Sequence, residues 1–137
     1  MIVDSDGVGG GVVDGLPNCR AFINNSKPLE TYARHNFANL KSQCAFLLQE
    51  KVQNGEIAIH REHKDKDEDR QLLEQEMLNT YIDEKSIDGK TRIEPKEKMK
   101  ERIGRSPDLM DTLIMRMYPY LLGETDNANE YLDPISR

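Results

Sequence analysis

The feature that most restricts the fold lies at the start of the chain, where a short apolar run meets an acidic residue and then a series of glycines. Ile2-Val3-Asp4 reads as the end of a strand. Gly7, Gly9, Gly10 and Gly11 then let the backbone turn sharply with no side chain in the way. Val12, Val13 and Leu16 suggest a short helix, stopped by Gly15, Pro17 and Asn18, and residues 19–24 look like a second short strand. A nucleotide-binding turn is excluded on spacing. Position 12 is Val where a GxGxxG pattern needs Gly, and no Gly-Lys-Ser/Thr follows. The helix behind the glycines is also cut short by Pro17.

Further along, Leu40, Cys44, Leu47, Leu48 and Val52 recur at helical spacing, which predicts a helix over 36–53 ended by Asn54-Gly55. Ile57 and Ile59 alternate with small or polar residues as a short strand would. The charged run from His63 to Asp69 reads as the solvated start of a helix that continues through Leu72, Leu73 and Leu78. Asp88-Gly89 between Ile87 and Ile93 is a hairpin or strand-turn signal. Pro95 opens a helix through about residue 102, closed by Gly104. Ser106 and Pro107 then read as the N-cap and first position of a helix carrying Leu109, Leu113, Met117 and Leu121 and ended by Gly123. The alternation of strands and helices predicts an α/β fold with a mixed sheet flanked by helices, organised as one domain over 1–122 with a loose tail over 123–137.

Composition narrows the function classes. The chain has 137 residues, 36% hydrophobic and 32% charged, so its core is thin. A net charge of −6 argues against passive binding to DNA or a membrane, which calls for a basic patch, yet leaves open a nuclease that recruits substrate through divalent ions. Cys19 and Cys44 have no CxxC spacing and no histidine in zinc-finger register, so they read as free thiols in a reducing compartment. No basic-then-apolar leader precedes a cleavage site, and no apolar stretch approaches the roughly 20 residues that span a bilayer.

Two places carry candidate chemistry. Asp4 at a strand end, with Asp6 beside it and an open loop after it, suits a metal ligand; a plain Asp-Gly turn accounts for the same residues. Asp108 and Asp111 are spaced to share one helix face. Interaction with the positive end of the helix dipole accounts for them as well. Taken together they suggest more. Two-metal phosphodiester cleavage needs carboxylates from separate elements, holding ions about 3.5–4 Å apart, and hard oxygen donors suit Mg²⁺ or Mn²⁺.

The stretch Val3-Asp4-Ser5-Asp6-Gly7-Val8-Gly9-Gly10-Gly11-Val12-Val13-Asp14 resembles the second acidic motif of phage terminase large-subunit nuclease domains. Gly104-Arg105-Ser106-Pro107-Asp108-Leu109-Met110-Asp111-Thr112-Leu113 resembles their last acidic motif. Phe37-Ala38-Asn39-Leu40-Lys41-Ser42-Gln43 and Ile87-Asp88-Gly89-Lys90-Thr91-Arg92-Ile93-Glu94-Pro95-Lys96 are similar in kind and order.

The resemblance covers about 2–122 and implies an RNase H-like nuclease that cuts concatemeric viral double-stranded DNA with two divalent metals. Its setting is the bacterial host cytoplasm, where it works with an ATPase domain, a small subunit and a portal. It implies Asp4 and Asp111 as catalytic metal ligands, Asp108 as an auxiliary ligand and Asp6 as an outer-shell residue. Lys41 and Arg105 become candidate phosphate contacts.

One departure matters. The family's first catalytic Asp lies on an opening strand upstream, and this sequence begins with the strand carrying the second ligand. The expectation is therefore an N-terminally truncated fragment with an incomplete site, weak or absent activity, and an exposed sheet edge that promotes self-association. The competing expectations are a non-catalytic α/β interaction module left from a prophage, and an unrelated small α/β protein whose acids are structural.

Overall fold

The computed structural model describes residues 1–6, 10–30, 36–59, 67–84 and 88–124. Strand β1 (Ile2–Asp4) pairs in parallel with β2 (Arg20–Phe22), in the register Ile2 to Arg20, Val3 to Ala21 and Asp4 to Phe22. A parallel pair needs a crossover. Here it contains α1 (Gly10–Gly15), the short helix that Val12 and Val13 suggest, which begins within the glycine run and ends before Leu16. Ser5 N–H donates to Phe22 carbonyl at 2.9 Å, and Arg20 N–H to Met1 carbonyl at 2.9 Å, closing the ladder at both ends.

Helix α2 (Leu40–Gln53) supplies half of the core. It starts later than the spacing suggests because Asn39 is its N-cap, accepting a hydrogen bond from Ser42 N–H at 2.9 Å. Leu40, Cys44, Ala45, Leu47 and Leu48 are buried on it. Asn54 is its C-cap, and Gly55 follows at φ 69°, a conformation open to glycine at no steric cost. Gln43, also buried, exchanges two hydrogen bonds with the backbone of Leu29 at 2.7 and 2.8 Å and so ties the segment after β2 to this helix.

The helices α3 (Asp67–Leu78), α4 (Lys96–Ile103), α5 (Asp108–Arg116) and α6 (Tyr118–Leu121) follow. Helix α5 packs against α2, α3 and β1 and is therefore the hub of the fold. Met110 and Ile114 of α5 are buried, and the stripe continues through Met117 to Leu121 of α6, with Phe22 of β2 meeting Tyr118 edge-on at 5.6 Å between ring centroids. Among the described residues, no helix is long and apolar enough to cross a membrane.

Several expectations need correction. The α/β class holds, but the only described sheet is the two-stranded parallel pair. Residues 57–59 form no strand; Ile57 packs on the core while Ile59 is exposed, and no described strand lies alongside to pair with them. The Asp88-Gly89 turn exists, with Lys90 N–H donating to the Asp88 carboxylate at 3.1 Å and Gly89 at φ 68°. Its antiparallel contact is a single bridge between Ile82 and Ile93, however, and a second isolated bridge joins Phe37 to Thr91 in parallel. Ile87 and residues 63–66 lie outside the described set, as do 125–137 of the expected tail.

At the last helix, Pro107 rather than Ser106 is the N-cap, and helical residues begin at Asp108. The expected continuous helix to Leu121 breaks at Met117, because Pro119 has no N–H to continue the ladder. The predicted stripe holds at Met117 and Leu121, which are buried, but in its first half Met110 and Ile114 are buried and Leu109 and Leu113 only half-buried.

Burial of Cys44 in this core pushes its thiol pKa up to about 12. The thiolate is the reactive form, so a disulfide reagent at neutral pH should label the half-exposed Cys19 quickly and Cys44 only as fast as the chain unfolds. Equal labelling rates for the two thiols, followed by mass spectrometry of the peptides, would contradict this packing.

Candidate functional site

The acidic residues fall into two hydrogen-bonded groups on neighbouring elements. The first closes the sheet. Asp4, exposed at the end of β1, accepts through Oδ1 from Asp6 N–H at 3.0 Å and from Asn24 Nδ2 at 3.2 Å. Asp6 accepts from Asn24 N–H at 3.2 Å. The two aspartates and Asn24 thus tie the ends of both parallel strands together. Asn24 was legible in the sequence only as a turn residue, because its partners lie across a crossover.

The second group sits on the first turn of α5. Asp111, with 18% of its side chain exposed, receives Lys41 Nζ at 2.7 Å on Oδ1 and Lys96 Nζ at 2.8 Å on Oδ2. Lys96 also reaches Asp108 Oδ1 at 3.3 Å. Ser106 Oγ donates to the same Asp108 oxygen at 2.7 Å. Lys41 comes from α2, Lys96 from the start of α4 and the acids from α5, so the group depends on three helices packing correctly.

The electrostatics follow the geometry. Partial burial opposes the charged form of Lys96. The hydrogen bond and charge of Asp111, then those of Asp108, outweigh it and hold the ammonium above the usual lysine range. Asp108 is held below the usual carboxylate range, first by the Ser106 hydrogen bond, against some desolvation, and then by Lys96 and the charge of Arg105.

Arg105 belongs to a third arrangement that sequence reasoning missed. Its guanidinium pairs with Glu76 of α3, whose side chain is fully buried. It also donates to the carbonyls of Leu72 at 3.0 Å and Ser106 at 3.3 Å. The other Glu76 oxygen accepts Met110 N–H at 2.6 Å. Lys41 and Arg105, expected as phosphate contacts, are thus both engaged by carboxylates of this chain.

The structure therefore brings Asp108, Asp111, Lys41 and Lys96 into one network and Asp4 with Asp6 into another, on elements that pack together through α5 and β1. Among the described residues, no three His, Cys, Asp or Glu side chains converge closely enough to hold a metal ion. Compared with known protein families, with characterised proteins and with solved structures, the chain matches none.

Replacing Glu76 with Ala leaves the Met110 N–H without its acceptor and Arg105 without its counter-charge. Breaking a buried pair in this way costs about 3–5 kcal/mol, and urea unfolding should show a loss of that order. Glu76→Gln, which keeps an acceptor for Met110, should lose less. A loss below about 1 kcal/mol in Glu76→Ala, the range of surface pairs, would refute the buried assignment.

Proposed function

We propose that the chain is part of a metal-dependent endonuclease domain of the phage DNA-packaging terminase kind, with an RNase H-like ancestry. Its substrate would be concatemeric viral double-stranded DNA in the cytoplasm of a bacterial host, cut alongside an ATPase domain, a small subunit and a portal. One observation supports this most directly: α5, which bears Asp108 and Asp111, packs against β1, which ends on Asp4. Carboxylates are thereby carried by a strand and a helix that adjoin, as ligands drawn from separate elements would be.

The donor chemistry fits Mg²⁺ or Mn²⁺, since all three candidate ligands, Asp4, Asp108 and Asp111, offer hard oxygens. The grouping does not fit a finished two-metal site, because no three acids converge among the described residues and both oxygens of Asp111 already face ammonium groups. The site is accordingly read as partial, and no hydrolytic step is derived through a metal. The same two lysines favour a second reading, a non-catalytic α/β module in which Asp111 is purely structural.

Calorimetric titration with Mn²⁺ separates the two. The nuclease reading expects weak binding that disappears in Asp4→Ala and Asp111→Ala; heat that is absent, or unchanged in both variants, leaves the structural module. With plasmid DNA and Mn²⁺, the chain should cut little or not at all. Robust cleavage abolished by either substitution would show that the site is complete after all.

Self-association forms part of the same proposal. The described sheet has only two strands, so each has an edge with no described partner, and such edges recruit other strands. Sedimentation velocity should show a concentration-dependent dimer, and a strictly monomeric chain would count against that contact.

A further inference from the structure

Strand β1 has one edge bonded to β2 and one edge open. Arg20 N–H donates to Met1 carbonyl and Ser5 N–H to Phe22 carbonyl, so the odd-numbered residues of β1 turn their backbone groups toward β2. Alternation turns those of Ile2 and Asp4 to the other edge. Among the described residues, no hydrogen bond reaches them there. The outer edge of β2 offers less, since within Arg20–Phe22 only Ala21 turns outward.

The open edge also has two differently charged ends. Ile2 and Arg20 stand side by side on one face of the sheet. They line a groove of about 660 Å³ together with Leu113, Met115, Arg116 and Pro119. Its walls are apolar and its cations are the two arginines. Arg20 pairs with Glu124 at 2.6 Å, yet its side chain is 47% exposed. Arg116 lies 5.9 Å from the Tyr120 ring centroid. The other end of β1 carries Asp4 with Asp6 close by. Asp4 is exposed; its Oδ1 accepts from Asp6 N–H and Asn24 Nδ2, and its Oδ2 has no partner among the described residues.

We infer that β1 pairs antiparallel with β1 of a second copy about a two-fold axis at Val3, and that the partner's Asp4 carboxylate enters the groove beside Arg20 and Arg116. In that register Ile2 lies opposite the partner's Asp4, and each donates its N–H to the other's carbonyl. The partner's Asp4 side chain then falls on the face that carries Ile2 and Arg20. Charge selects the direction. A parallel pair would set acids beside acids and arginines beside arginines, whereas the antiparallel pair sets each against its opposite. The contact is the same patch on both copies, so it closes at a dimer. The inference rests on the self-association proposed above and gives it a surface and a register.

The two-fold axis places Val3 opposite its own mate at about 4.5 Å between Cα atoms, within reach of a disulfide. In a Cys19→Ser background, Val3→Cys should cross-link into a covalent dimer under mild oxidation. Ala21→Cys lies on the same face but about 14 Å from its mate, three strand spacings away, and should stay monomeric.

Sedimentation velocity gives an independent reading. Ile2→Pro removes an outward N–H while leaving the β1–β2 ladder intact. It should weaken the dimer at least about tenfold, the order expected for two lost hydrogen bonds. Asp4→Asn keeps the Oδ1 acceptor but not the charge, and should weaken it at least about fivefold. A dimer that Val3→Cys fails to cross-link, that Ala21→Cys cross-links as readily, or that Ile2→Pro and Asp4→Asn leave intact overturns this register while self-association stands through another contact. A chain that stays monomeric at every concentration removes both.

Discussion

The fold turns on how the chain begins α5. That helix meets β1, α2 and α3, yet it starts at a proline that makes no side-chain cap. The first amides of any helix lack intrahelical partners, and burying one unpaired costs free energy comparable to a lost hydrogen bond. Glu76 solves this from another helix: its buried carboxylate accepts Met110 N–H, with a negative charge placed at the positive end of the α5 dipole. A lone buried carboxylate would be too costly, and Arg105 offsets its charge. Because Arg105 lies just before the helix, the same contacts fix where α5 starts as well as how it is oriented.

That constraint carries into the candidate site. Asp108 and Asp111 lie on the turn that Glu76 anchors, so their carboxylates are presented from a fixed platform. Lys41 and Lys96 arrive from α2 and α4, and their ammonium groups meet Asp111 from two sides. The counter-charges at Asp111 are thus supplied by lysines from two other helices, so the group forms only when α2, α4 and α5 pack together.

What could be read from the sequence was local. The strand end at Asp4, the short helix around Val12 and Val13, the Asn54-Gly55 and Gly104 helix stops and the Asp88-Gly89 turn each depend on residues close together in the chain, and each is present. The failures are tertiary. Ile57 and Ile59 alternate as a strand would, but no described strand lies beside them. The α5 stripe is displaced because Met110 and Ile114 face the elements packed on α5, a choice that spacing alone could not make against Leu109 and Leu113. Glu76 sits in a helix rich in charged residues, where nothing local separates a buried carboxylate from solvated ones. Lys41 and Arg105 read as open basic residues for the same reason, since their partners stand 70 and 29 positions away.

The two candidate acids also differ in kind, which bears on any catalytic role. Asp4 is exposed and, among the described residues, bonded by neutral donors, the Asp6 amide and the Asn24 side chain. Asp111 is half-buried between two ammonium groups, so a cation approaching it must compete with charge already in place.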